Sequence, residues 1–78
     1  MDSITLLETT FGHFGESCKV QVSTGETYNG IYHGYSESTH DNPLMLRLGI
    51  SKDEANRIGV SYLSEIGICY DVIISITF

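Results

Sequence analysis

Hydrophobic and polar residues alternate along much of this chain, in short runs that turn residues separate. Residues 19–23 (KVQVS) alternate strictly, which predicts a half-buried strand. A Thr-Gly turn follows, and residues 27–35 predict a second strand with large side chains on both faces. After a polar loop at residues 36–42, the apolar residues of 44–48 predict a third strand.

The second half of the chain predicts two further strands. Residues 51–57 (SKDEANR) indicate a charged turn of at most one helical turn. Residues 58–70 predict a long strand with Gly59 and Gly67 as kinks, and Asp71 permits a sharp corner before a last strand at residues 72–77. Five strands predict one all-β domain over residues 1–78, a strongly bent, five-stranded antiparallel barrel.

The amino-terminal residues leave two interpretations open. Residues 3–10 (SITLLETT) form either a short helix, with Thr5 and Glu8 as its capping box, or an extended arm. The following Gly12 argues against a long helix. Residues 1–12 are therefore expected to precede a barrel that spans residues 18–77.

Two glycines inside the second predicted strand indicate strong curvature. Gly30 and Gly34 add no packing to a strand, so such residues usually mark a bend, a bulge or a close approach of two backbones. We therefore expect a sheet that bends enough to close into a small barrel.

The last predicted strand is almost continuously apolar. Ile73, Ile74 and Ile76 cannot all face one core if side chains alternate between the two faces. An uncovered apolar edge strand promotes aggregation, so we expect it to pair with an identical copy, and repeated head-to-tail pairing closes a ring. The expected interface residues are Ile66, Ile68, Val72, Ile74 and Ile76.

Length and composition favour self-association and make several other partners unfavourable. A chain of 78 residues buries a small core, which oligomerisation commonly supplements. The net charge of −6 and four scattered basic residues argue against DNA and anionic membranes as partners. No apolar stretch approaches the ~20 residues that span a bilayer, and no secretory signal is evident, so a cytoplasmic location is expected.

The sequence contains no arrangement that predicts catalysis, a cofactor or a metal site. Its serines lack the Gly-x-Ser-x-Gly context of a nucleophile elbow. His13, His33 and His40 lie in different segments without the spacing of a ligand set. Cys18 and Cys69 each fall within a predicted strand and are expected to be free thiols. We therefore expect a non-catalytic protein.

In its order of strands and glycines the chain resembles the Sm and Sm-like family. The family's first motif is matched in order and spacing, and its apolar end corresponds to Asn42 with Leu44 and Leu46. The second motif falls on residues 68–74, where the apolar frame is kept, and the resemblance covers about residues 18–77. The residues that match the first motif are Val20, Val22, Gly25, Gly30, Gly34 and Tyr35.

This resemblance implies a ring in which the fourth strand of one subunit pairs with the fifth strand of the next. It also implies RNA contacts at His40, Asn42 and Tyr70. The chain departs from the family pattern at Ser36, which replaces the loop Asp, and at Cys69-Tyr70, which replace Arg-Gly. Loss of the Arg removes a charge-assisted donor and a stacking surface.

Three functions stay open from the sequence. The first is a homo-oligomeric, non-catalytic assembly ring with weak or lost RNA binding. The second is a ring that binds single-stranded RNA. The third is a monomeric SH3-like barrel that binds peptides with its tyrosines.

Overall fold

The computed structural model describes residues 1–36, 44–60 and 65–78. These ranges contain five strands in one antiparallel sheet of order β4-β3-β2-β1-β5, so the predicted all-β fold class is confirmed. A 3-10 turn at Tyr70–Val72, called the corner below, connects β4 to β5. The helices and strands are α1 (Ser3–Thr10), β1 (Ser17–Val22), β2 (Thr27–Ser36), β3 (Met45–Gly49), α2 (Lys52–Ile58), β4 (Glu65–Cys69) and β5 (Ile73–Thr77).

The core lies on the concave side of this sheet. In β1 the predicted alternation is confirmed, because Cys18, Val20 and Val22 are buried and the residues between them are exposed. β2 and β3 add Tyr32, Leu46 and Leu48 to the same side. The largest fully buried side chains are Leu6, Leu46, Leu48, Ile73 and Val20.

Gly34 creates a bulge in β2, as its position in the strand predicts. Tyr32 lies opposite Leu48 and Tyr35 lies opposite Leu46, so β2 has one residue more than β3 between these pairs. Gly34 has a φ of +89°, which side chains other than glycine rarely adopt. The extra residue bends β2 and increases its twist.

Gly30 marks a close approach of β2 and β3. A Cβ atom at this position would overlap the backbone carbonyl oxygen of Gly49 and would also lie 2.8 Å from Cγ of Leu48. The hydrogen of glycine therefore lets the two backbones meet at the bend. This confirms the interpretation of Gly30 as a site of tight curvature.

A second bulge, in β5, alters the expected orientation of its isoleucines. Gln21 of β1 pairs with Ser75, but Val22 pairs with Ile73, so Ile74 is the extra residue. Ile73 is 1% exposed, and Ile76 is partly buried against the same core. The three isoleucines therefore do not all face one core, as predicted: Ile74 is 55% exposed, and the bulge lets Ile73 and Ile76, three positions apart, share the core side.

The segment at residues 3–10 is the helix α1, which decides between the two interpretations left open. Its cap is Asp2, whose Oδ1 accepts a hydrogen bond from the Thr5 amide at 2.7 Å, so the predicted cap at Thr5 was wrong. Leu6 and Thr10 are buried, and the Thr10 hydroxyl donates to the Leu6 carbonyl at 2.8 Å. These two residues fix one face of α1 against the barrel.

Residues 51–57 form more than the single turn that was predicted. Ser51 caps α2 by accepting the Glu54 amide at 3.1 Å. Gly59 ends the helix with a φ of +78° and donates to the carbonyls of Ala55 and Asn56. The predicted strand over residues 58–70 was therefore too long, because Gly59 is a helix cap and β4 begins at Glu65.

A buried carboxylate attaches α2 to β2. Glu54 accepts the backbone amide of Asn29 at 2.5 Å and the guanidinium of Arg57 at 2.5 Å. Arg57 also donates to the Thr27 carbonyl at 2.6 Å. Glu54 is only 8% exposed, so these partners satisfy a charge that water hardly reaches.

Candidate subunit interface

The two ends of the described sheet are β4 and β5. Each of these strands has one partner among the described strands: β4 pairs with β3, and β5 pairs with β1. Both strands therefore present one edge of backbone donors and acceptors in the part of the chain that the structure describes, except that the Ile73 carbonyl of β5 already accepts the Met1 ammonium at 2.6 Å. These are the two strands that the resemblance identifies as subunit edges.

On the β5 edge, the bulge turns one large apolar side chain outward. Ile74 is 55% exposed, whereas Ile73 is buried and Ile76 is partly buried. Among the predicted interface residues, Ile74 is therefore the one on β5 that offers most new apolar area to another molecule. Ile76 contributes less because it already packs against the core.

The predicted residues of β4 face inward, toward an apolar cavity of about 420 Å³. Ile68 is 6% exposed, and Ile66 is partly buried against the core. Val72 lies in the corner, not in β5 as predicted, and is 39% exposed. The cavity also contacts the β1–β2 turn and the end of α2; its apolar lining residues are Val22, Tyr28, Ile58, Val60, Ile66, Ile68, Cys69 and Val72.

Backbone hydrogen bonds hold the corner in place beside this cavity. The Ser23 amide donates to the Val72 carbonyl at 2.8 Å, and the Tyr70 amide donates to the Leu44 carbonyl at 3.0 Å. The first bond attaches the corner to the β1–β2 turn, and the second attaches it to the residue before β3. The β4–β5 connection is therefore fixed at both of its sides.

Of the three residues predicted to contact RNA, only Tyr70 lies within the described residues. His40 and Asn42 lie outside them. Tyr70 is partly buried and packs against the core, and its amide contacts Leu44, two positions after Asn42 in the sequence. Desolvation and the neighbouring Asp71 raise the pKa of the Cys69 thiol, which replaces the Arg of the family pattern.

Two basic side chains of the sheet contact one carboxylate. Arg47 of β3 donates from Nε to Glu65 of β4 at 2.7 Å, and the His33 ring of β2 lies 3.1 Å from the same carboxylate. The Arg47 and His33 contacts lower the pKa of Glu65 below its ordinary value. This network crosses three strands on the outer face of the sheet, at exposed positions.

Sequence reasoning missed three residues that the structure makes conspicuous. Phe11 and Phe14 are 86% and 72% exposed, which is unusual for phenylalanine, and their neighbourhood in the sequence gave no motif. Glu54 was interpreted as part of a solvated turn. The spacing of Ser51 and Glu54, a capping-box pattern, was the signal that could have identified α2.

Comparisons with known protein families, curated proteins and solved structures found no match to this chain. Among the described residues, no group of three or more His, Cys, Asp or Glu side chains is placed to hold a metal ion. The described helices are all too short or too polar to cross a lipid bilayer.

Proposed function

We propose that this chain is the subunit of a homo-oligomeric, Sm-like ring that serves as a non-catalytic assembly module. In this ring, β4 of one copy pairs with β5 of the next. The observation that carries the proposal is that β4 and β5 are the two ends of the described sheet. A head-to-tail contact that uses both ends repeats until it closes.

The side chains at these edges support the proposal. Ile74 and Val72 are 55% and 39% exposed, and the apolar cavity of about 420 Å³ beside β4 gives a neighbouring side chain room to enter. At ~25 cal/mol per Å² of apolar area, burial of such a seam contributes several kcal/mol before association costs. A chain with so small a core of its own benefits from this additional burial.

A non-catalytic role is supported by the contacts of the described ionisable side chains. The carboxylate of Glu54 is occupied by Asn29 and Arg57, and that of Glu65 by Arg47 and His33. These groups join secondary-structure elements to each other.

The test compares two aspartate substitutions at exposed isoleucines. Ile74→Asp places a charge on the β5 edge, whereas Ile31→Asp places one on the outer face of the central strand β2, where 37% of the side chain is exposed. Light scattering and analytical ultracentrifugation measure the mass of each protein. We expect a closed oligomer for the wild type and for Ile31→Asp, and monomers or irregular aggregates for Ile74→Asp.

A monodisperse monomer of the wild type would contradict the ring and favour the SH3-like peptide-binding barrel. A full-size ring of Ile74→Asp would contradict this seam. Circular dichroism of both variants establishes that each is folded, so that a lost ring is distinguished from a lost fold.

A second candidate, a ring that binds single-stranded RNA, rests on the contact between Tyr70 and Leu44. This contact brings Tyr70 next to the end of the segment that holds His40 and Asn42. Stacking on such side chains contributes ~1–3 kcal/mol per base, but the chain's negative charge opposes the phosphates. Filter binding of U-rich and A-rich RNA over a range of salt tests it; binding that depends on salt and is weakened by His40→Ala supports it.

A further inference from the structure

Helix α1 and the residue after it carry a second apolar stripe, beside the face that the helix buries. Leu6 and Thr10 pack on the barrel, whereas Ile4, Leu7 and Phe11 follow each other at helical spacing on another side of the helix. These three residues are 67%, 38% and 86% exposed. The helix thus offers an apolar stripe that nothing within the described chain covers.

Phe14 extends this stripe onto the sheet. Its ring lies over the β2 bulge, where a Cβ on Gly34 would be 3.5 Å from Cε2 of Phe14. It also packs edge-on against Tyr32, at 6.3 Å between ring centres, yet 72% of Phe14 stays exposed. Beside α1, a groove of about 300 Å³ runs over these residues, and Leu7, Phe11 and Tyr35 also line it.

We call Ile4, Leu7, Phe11, Phe14 and Tyr35 the aromatic patch. Aromatic side chains offer ~150–250 Å² each, so the two phenylalanines alone expose on the order of 300 Å². That area approaches the largest apolar patches of ordinary monomeric proteins, which often have a function. The patch lies on α1, on the loop after it and on β2, and none of its residues belongs to β4 or β5.

The surroundings of the aromatic patch are acidic. Asp2, Glu8 and Glu16 are exposed in residues 1–16; Asp2 also caps α1, and the Glu16 carboxylate lies 3.1 Å from the His13 ring. Neither residues 1–16 nor residues 27–36 contain a Lys or Arg. An apolar surface with an acidic border complements a ligand that is apolar on one side and basic on the other.

We propose that the aromatic patch binds a basic amphipathic segment of a partner protein, docked as a helix in the groove beside α1. The partner's apolar side chains contact Phe11 and Phe14, and its Lys or Arg side chains face Glu8 and Glu16. This arrangement follows the helix-in-groove mode, in which residues at i, i+3, i+4 and i+7 provide the anchors. Aromatic residues are also the side chains that most often dominate binding energy at interfaces.

The charge distribution argues for this occupant over three others. A second copy of the chain, docked at this patch, would bring its own Asp2, Glu8 and Glu16 against the same groups. Anionic lipid surfaces and RNA phosphates would meet the same repulsion. A basic polypeptide is the partner for which both the apolar and the electrostatic contributions are favourable.

The experiment measures fluorescence anisotropy of a labelled peptide with leucines at i, i+3, i+4 and i+7 and lysines on its other side. A second peptide carries glutamates in place of the lysines. We expect the basic peptide to bind and the acidic peptide to bind at least about tenfold more weakly. Phe11→Ser and Phe14→Ser should each weaken binding about tenfold, and Glu8→Gln should weaken it less while reducing its salt dependence.

Ile31→Ser is the matched control, because Ile31 is exposed on β2 outside the patch. We expect this variant to bind the basic peptide with the affinity of the wild type. Absence of binding, equal affinity for both peptides, or wild-type affinity in both phenylalanine variants would overturn the proposal. So would self-association that Phe11→Ser abolishes, or binding to phosphatidylserine vesicles that Phe14→Ser abolishes, since either would identify another occupant. The ring test at Ile74 is unaffected by these outcomes.

Discussion

The backbone amide of Asn29 and the carboxylate of Glu54 lie 2.5 Å apart and join β2 to α2 across 25 positions of the sequence. The hydrogen bond from Arg57 to the same carboxylate, and then that from Asn29, lower the pKa of Glu54 below its ordinary value of 4.5. The ionised form of the Glu54 side chain is therefore more stable, relative to the protonated form, in the folded protein than in the unfolded chain.

This relationship predicts how acid affects stability. Because the pKa of Glu54 is lower in the folded state, its contribution is complete above pH 4.5 and is lost as the pH falls through the folded-state pKa. Glu54→Gln should lower the free energy of unfolding by about 1–2 kcal/mol at neutral pH, and by less in acid. Urea unfolding at one protein concentration measures both values.

Glu8→Gln, on the exposed side of α1, is the control for this experiment and should leave the free energy of unfolding unchanged. In Glu54→Gln, the free energy of unfolding should depend less steeply on pH than in the wild type. Some dependence should remain, because the pKa values of Asp2 and Glu65 are also lowered. An equal loss of stability at neutral and acidic pH would show that Glu54 acts through packing and not through its charge.

The close approach at Gly30 predicts a second result. Gly30→Ala should destabilise the protein by about 1–3 kcal/mol, because its methyl group meets backbone atoms of Gly49 that cannot move independently. Gly67→Ala is the matched control, since its methyl group meets the flexible end of Met45, 3.0 Å away. Thermal unfolding should separate the two; equal melting temperatures would contradict the role of Gly30 in bending the sheet.

The two cysteines should differ in reactivity. Burial raises the pKa of the Cys18 thiol, which is 6% exposed, whereas Cys69 is only partly buried. A thiol reagent should therefore modify Cys69 first and Cys18 in a slower phase. Because the pKa of Cys69 is also raised above its ordinary value of 9.0, its rate should still increase beyond pH 9.0. Cys69→Ser should remove the fast phase. If the fast phase is retained, Cys18 and not Cys69 is the more reactive thiol.

The sequence was sufficient to predict the elements that depend on local pattern. Alternation in residues 19–23 and glycines at positions 30 and 34 predicted β1 and the curvature of β2, because a half-buried strand and a bend each require particular residue types. Helix α2 was underestimated because Gly59 was interpreted as a kink in a strand. The same residue is an ordinary helix cap once Ser51 and Glu54 are recognised as the beginning of a helix.

Local sequence patterns could not predict features that depend on contacts between residues far apart in the sequence. The orientation of Ile73 and Ile76 depends on a bulge that exists only where β5 meets β1. The exposure of Phe14 depends on where the β2 bulge places its ring, and apolar residue type alone predicts burial instead. The predicted contact residues His40 and Asn42 lie outside the described residues and stay predictions.

The contact between positions 30 and 49 has a consequence for tracing the ancestry of this chain. One apolar residue of the interior can be exchanged for another of similar volume over evolution, which erases sequence likeness while the shape persists. Gly30 cannot be exchanged in this way, because any larger residue would place a Cβ atom against the backbone of residue 49. Distant relatives with the same curvature should therefore retain glycine at position 30, and a search anchored on that glycine is better suited to find them than overall identity.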